Sequence, residues 1–213
     1  MRKLVLRSVL ALAIAATAGV GANAALASPA KVASTSFNLF PNTVNLPCLR
    51  KSPSKTPTAT ATATRGGLND TLTMKLTGFK PGLAFDMFTV QNSNQSATGA
   101  PVTIPNFGMA WYQSDIEIGS TGTGSVTIKT ILLDQIFGFD PAVSLAPTNT
   151  FHVGFWFNNP TAAAGCGFTG TTPFNGERAA GPLAFITRPN ATTHLGPLCT
   201  DPHKVGTTFV CNP

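Results

Sequence analysis

An antiparallel, all-β sandwich of about seven or eight strands is the fold this sequence predicts, with a jelly roll as the second choice. Three observations carry that expectation. Short runs of alternating polar and apolar residues recur along the chain, and that period-two pattern marks half-buried strands. Glycine and proline, 20 and 17 of 213 residues, punctuate those runs at turn positions without reaching low-complexity density. Helical periodicity is absent after residue 27, and no repeat of twenty to fifty residues argues for a solenoid or propeller.

In chain order, Arg2, Lys3 and Arg7 precede an apolar run from Leu10 to Val20 and then small residues, the form of a secretory signal peptide. Cleavage after Ala27 is preferred to cleavage after Ala24, and the run is too short and alanine-rich for a membrane span. Export and free secretion are therefore expected. Residues 28–57 read as an N-terminal segment ending in a Pro/Ser/Lys linker, and residues 58–213 as the sandwich with a loop-rich C-terminal tail. TATATATR from Thr58 alternates cleanly, with Thr60 and Thr62 on one side and Ala61 and Ala63 on the other. Such small inward residues suit an edge strand over bulky neighbours. Thr71–Thr77 alternates next, placing Leu72, Met74 and Leu76 inward. Gly78-Phe79-Lys80-Pro81-Gly82 is turn chemistry, because Pro presets φ and Gly admits positive φ. Leu83–Val90 is apolar on both faces and reads as a central strand.

Residues 107–118 and 124–133 flank GSTGTG and both alternate, which predicts a hairpin with Asp115 opposite Lys129 and Ile118 opposite Val126. In that register Tyr112, Ile116 and Ile118 face inward, and Trp111, Asp115 and Glu117 face outward. A long loop is expected over 134–149. Phe151–Phe157 then sets Phe151, Val153, Phe155 and Phe157 on one face and His152, Gly154 and Trp156 on the other. Pro182–Thr187, with Leu183 and Phe185 inward, reads as the last strand.

The run LTGFKPGLAFDMFTV, Leu76 to Val90, resembles the corner between two strands in fibronectin type III and related immunoglobulin-like domains. The resemblance covers about fifteen residues and implies an immunoglobulin-like sandwich, with no activity attached. Phe85 stands where such a corner usually places a Tyr, so the hydroxyl that ties the corner to backbone is missing. FHVGFWFNNP with Cys166-Gly167-Phe168, and ILLDQIFGFDPAVSLAPTNT, also resemble a group of secreted bacterial proteins of unassigned function.

Charged residues make up 10% of the chain, and without residues 1–27 eleven Lys/Arg face eight Asp/Glu, a net charge of +3. The basic residues cluster only at Arg50, Lys51 and Lys55, so no strip matches a phosphate backbone and nucleic acid is not an expected partner. Four cysteines in an exported chain read as two disulfides with three possible pairings. Cys199 with Cys211, closing a short C-terminal loop, and Cys48 with Cys166, tying the N-terminal segment to the body, are the expected pairs.

No cofactor or metal is expected. His152, Cys199 and His203 offer blue-copper ligand types, but no Met follows His203, and zinc-like paired spacings are absent. Asp134 and Asp140 flank the long loop without the acid density of a calcium loop. No Gly-x-Ser-x-Gly elbow marks a serine hydrolase, and His194 and His203 sit in the Pro/Gly-rich tail. Asp115 and Glu117, two apart on one strand, are spaced about 6.5–7 Å at Cα as flanking carboxylates can be. An exposed strand face, however, does nothing to raise the pKa of an acid catalyst. The remaining candidate is a face formed by Trp111, Asp115, Glu117, His152 and Trp156, which could stack a sugar ring or dock a protein loop. The expected function is an exported, non-catalytic binding or structural module whose partner is a cell-surface glycan or protein. A glycoside-directed hydrolase and a self-associating surface or coat component are the alternatives, the last resting on the Thr/Ala edge strand and the low charge.

Overall fold

The computed structural model describes residues 32–104, 107–134, 137–140, 142, 145–149, 151–170 and 180–211, within the compact unit Lys31–Pro213. The expected signal peptide, residues 1–27, lies outside the described residues. The strands in chain order are β1 (Ser34–Pro41), β2 (Thr58–Thr64), β3 (Asp70–Thr77), β4 (Ala84–Val90), β5 (Ala110–Glu117), β6 (Thr123–Thr130), β7 (Phe137–Asp140), β8 (Leu145–Asn149), β9 (His152–Phe157), β10 (Leu183–Ile186), β11 (Pro202–Val205) and β12 (Thr208–Cys211). Eight of them form one antiparallel sheet in the order β5-β4-β9-β10-β1-β2-β3-β6, while β7-β8 and β11-β12 are separate two-stranded ladders. No helix among the described residues is long and apolar enough to cross a membrane.

The sheet folds over on itself at β1. Ser34–Leu39 pairs with β2, whereas Phe40 and Pro41 pair with β10, so one strand belongs to both layers of an all-β, sandwich-like body. Between the layers β2 presents only Ala59, Ala61 and Ala63, and β3 adds Leu72, Met74 and Leu76, all buried. The space left over the alanines is filled by aromatic rings from the other layer and from the corner. Phe155 stacks on Phe185 at 5.2 Å, Phe85 lies 4.9 Å from Phe155, and Phe79 lies 5.3 Å from Phe185. Phe79 reaches this cluster because Gly78 and Gly82, both at φ near +79°, turn the chain from β3 to β4 within the six residues 78–83. On the outside of β2, threonines pair hydroxyl to hydroxyl with β1 and β3, as between Ser36 and Thr62 (2.8 Å) and Thr58 and Thr77 (2.8 Å).

Several expectations need correction. β2 is not an edge strand, because it is paired on both sides, with β1 and β3; its inward alanines answer the bulk of the facing rings. The self-association reading loses the edge on which it rested. The body begins before residue 58: β1 joins the layers, and a short helix, α1 (Leu46–Leu49), buries Leu49 in the core, while Lys51–Thr56 is a mostly exposed loop. The hairpin register fails as well. Gly119 N donates to Thr123 O (2.9 Å) and Gly122 N to Gly119 O (2.9 Å), but the chains then part. β5 pairs with β4 and β6 pairs with β3, so Lys129 stands opposite Thr71 and Val126 opposite Met74. Alternation identified both strands correctly and misassigned their partners, since Thr/Lys and Val/Ile pair as well with β3 as with β5. The long loop contains β7 and β8, and the tail contains the β11-β12 hairpin around Gly206. In β10 a register shift between Leu183 and Phe185 sends Leu183 to the outer face and Phe185 to the core.

The disulfides are Cys48–Cys166 and Cys199–Cys211, and no free cysteine occurs among the described residues. Two disulfides fit an oxidising compartment.

Candidate functional site

The outer face of β5, β4 and β9 holds four of the five sequence-derived candidates, all but Trp111, and the order of those strands decides what they can form. β5 and β9 are not neighbours; β4 lies between them. Register places Asp86 opposite both Asp115 on β5 and Trp156 on β9, Phe88 opposite Tyr112 and Gly154, and Val90 opposite His152. The outer face of β4 is therefore a row of Asp86, Phe88 and Val90 flanked by the candidates.

β5 departs from strict alternation. Met87 pairs with Ser114 and Phe88 with Tyr112, leaving Gln113 as the extra residue of a bulge, its amide donating to Thr89 Oγ1 (3.0 Å). The bulge inverts parity, so Tyr112 comes to the same face as Asp115 and donates its hydroxyl to Asp115 Oδ1 (2.8 Å). Tyr112 was expected inside, and it is 50% exposed. Its neighbour Trp111 points to the opposite side, in register with Thr89, and is 45% exposed on this terminal strand of the sheet. Glu117, at the end of β5, is also exposed.

Trp156 and His152 share the face by register but are covered, at 2% and 3% exposure. Trp156 packs edge-on against Phe88 (5.3 Å) and Phe107 (5.2 Å), inside a second apolar cluster with Val90, Ala180, Leu183 and Ile186. Phe107, from the segment before β5, covers Trp156; the side chains of residues 135–141 and 143–149, in the loop expected to cover it, lie outside the described residues. Gly154 makes room for the indole: a Cβ there would sit 3.2 Å from Trp156 Cζ3 and 3.2 Å from Phe185 O. His152 Nδ1 bonds Thr187 Oγ1 at 3.0 Å, and burial pushes its pKa down to about 4, so the ring is neutral at physiological pH. A buried neutral imidazole tied to a hydroxyl is a structural element of the face.

The five sequence candidates therefore divide. Asp115 and Glu117 lie on β5 with Tyr112 on the outer face, His152 and Trp156 are covered on that same face, and Trp111 stands on the opposite side of β5. Asp86 was missed by sequence reading because it stands in an apolar run, Ala84–Val90, where nothing signalled that its side chain would face Asp115. Directly opposed strand residues have Cβ atoms about 4.5–5.5 Å apart, so the two carboxyl groups are close neighbours.

The polar node at Asp134 lies elsewhere in the body. This buried residue, at φ +61°, accepts from the Thr200 N–H, the Thr200 hydroxyl (2.7 Å), Asp201 N (3.2 Å) and Arg65 Nη2 (2.5 Å). Burial opposes its charge, but the Thr200 bonds and Arg65 outweigh that and hold its pKa below the ordinary carboxylate value. The sulfur of Cys211 sits 3.2 Å away but carries no hydrogen to donate, being bonded to Cys199. For the same reason Asp134, Cys199 and Cys211, although close together, do not make a metal-ligand set. His194 and His203 are remote in sequence from this face and lie on the tail.

Compared with protein-family models, curated proteins and solved structures, the chain matches none.

Proposed function

We propose that this chain is an exported, non-catalytic binding module that acts at or outside the cell surface and holds a glycan on the β5 rim. One observation carries the reading: Trp111 and Tyr112, adjacent on a terminal strand, are the exposed aromatic side chains among the described residues. A flat ring of this kind stacks against the apolar face of a sugar; on the Tyr112 side of β5 the carboxylates of Asp115 and Glu117 are acceptors for sugar hydroxyls, and Trp111 stands on the other side of the same edge. The buried floor of Phe88 and Trp156 fixes Tyr112 through its 5.6 Å edge contact with Phe88, which limits the entropy lost on binding. The Leu76–Val90 crossing, from β3 in one layer to the central β4 in the other, supports an immunoglobulin-like reading of the sandwich. The two disulfides support export.

Titration of the oxidised protein with a panel of neutral and acidic oligosaccharides, followed by tryptophan emission, tests the proposal. A saturable change that Trp111→Ala weakens at least about tenfold, roughly 1.4 kcal/mol, is the expected result. The hydrolase reading has one specific observation behind it, the opposition of Asp86 and Asp115 across β4 and β5. It requires that the same oligosaccharides be cleaved, and that Asp86→Asn and Asp115→Asn each abolish cleavage.

A further inference from the structure

Away from β5, the end of β1 with the residues after it, the loop that follows β4 and Arg188 just after β10 line a small polar cavity of about 100 Å³. Its construction begins with Gln95, which is buried and fully engaged. Its amide nitrogen donates to Pro41 O (3.0 Å), and its amide oxygen accepts from Arg188 Nε (2.9 Å). The guanidinium carbon also lies 3.7 Å over the Phe40 ring. One edge and one face of the guanidinium are thereby fixed, which leaves the two Nη groups as the working end. Gly99 borders them so closely that a Cβ would come 2.3 Å from Nη2. The cavity wall is completed by Asn42, Thr43, Asn94 and Pro101.

Two things in this arrangement are unspent. Arg65, half-buried like Arg188, donates to Val32 O, Leu133 O, Asp134 and Thr200, whereas Arg188 makes no Nη hydrogen bond and no ion pair among the described residues. Asn94 Oδ1 is buried and accepts no hydrogen bond among the described residues, a condition that folded proteins rarely leave uncompensated. A planar pair of cationic donors matches a carboxylate, and an unused acceptor on a residue of the same cavity wall calls for a donor on the same ligand.

We propose that this cavity binds a small monocarboxylate carrying a hydroxyl or N–H on the carbon next to the carboxyl group. Arg188 is the one charged residue lining the cavity, so it balances a single negative charge and leaves a phosphate dianion half uncompensated. The volume corresponds to about three waters at the roughly 30 Å³ each takes in the liquid, enough for the head of a 2-hydroxy acid. The site is independent of the β5 rim, so either proposal can fail alone.

The test is a ¹H–¹⁵N correlation titration of the oxidised full chain with lactate, acetate, methyl lactate and inorganic phosphate. Lactate is expected to shift the Gly99 amide and the Arg188 Nε–H saturably, acetate to bind about tenfold more weakly, and methyl lactate and phosphate to give no saturable shift at those positions. Arg188→Gln should remove the lactate response, and Asn94→Ala should reduce lactate to the affinity of acetate. Methyl lactate binding as well as lactate, phosphate binding more tightly, or no saturable response to lactate each overturns the proposal. If Arg188→Gln loses its dispersed spectrum, Asn94→Ala and the methyl ester decide the matter.

Discussion

At the residue scale, the two tryptophans make opposite use of the same side chain, and that difference is measurable. Trp156 is enclosed by Phe88 and Phe107 over the gap at Gly154, whereas Trp111 stands open at the sheet rim. The Trp111→Phe variant should emit at short wavelength and resist acrylamide, and Trp156→Phe should emit further to the red and quench readily. Equal quenching of the two variants would contradict the assignment. His152 gives a second expectation. Its folded pKa, near 4, lies below the ordinary value of 6.5, so the unfolded chain binds a proton that the folded one refuses. Stability should fall as pH drops from about 6.5 to about 4, by about 3 kcal/mol from this residue, and this contribution should level off below that. Asp134 acts in the next window: its depressed pKa gives stability that is full above the unfolded value of 3.8 and is lost as pH falls further. Urea titrations at stepped pH check both, and His152→Gln should flatten only the upper segment.

At the element scale, the corner at Gly78–Gly82 delivers Phe79 into the space over the β2 alanines, so ring and alanines are one packing unit. Phe79→Ala should cost about 3–5 kcal/mol in chemical denaturation, because the facing alanines cannot close the cavity. Gly154→Val should displace Trp156 and raise its acrylamide quenching without exposing Trp111 further. Alternation revealed β2, β3, β6 and β9, including which of their residues point inward, because every core residue there obeys the two-residue period; β4 was revealed by its apolar run, which leaves its inner face unmarked. It could not reveal partners. Thr127 faces Thr73 through a 3.0 Å hydroxyl contact, and nothing in either residue names the other across more than fifty positions. The site suffered from the same limit in a sharper form. One extra residue at Gln113 inverts Tyr112, and a bulge leaves no trace in a pattern that still alternates on both sides of it. Arg188, Gln95 and Asn94 carried no motif at all, since their cavity is assembled from three separated loops.

At the scale of the whole molecule, β1 is the joint, passing from the β2 layer to the β10 layer, and the Cys48–Cys166 bond fastens the segment that follows it to the turn after β9. That bond closes a loop of 118 residues in sequence separation, and Cys199–Cys211 closes one of 12. By loop-closure entropy, replacing the first pair with alanines should cost about 5 kcal/mol and the second about 3 kcal/mol, a ranking that thermal unfolding of the two double variants will check. The body so held presents a rigid floor of Phe88 and Trp156 and, at its rim, Tyr112 beside the carboxylates of Asp115 and Glu117 on one side of β5 and Trp111 on the other. The central claim is that this rim binds a glycan, and the most direct measurement is oligosaccharide titration of the Trp156→Phe variant, in which Trp111 is the sole reporter. A saturable shift in Trp111 emission, lost in Tyr112→Ala, is the result the account predicts; emission indifferent to every oligosaccharide at millimolar concentration would contradict it.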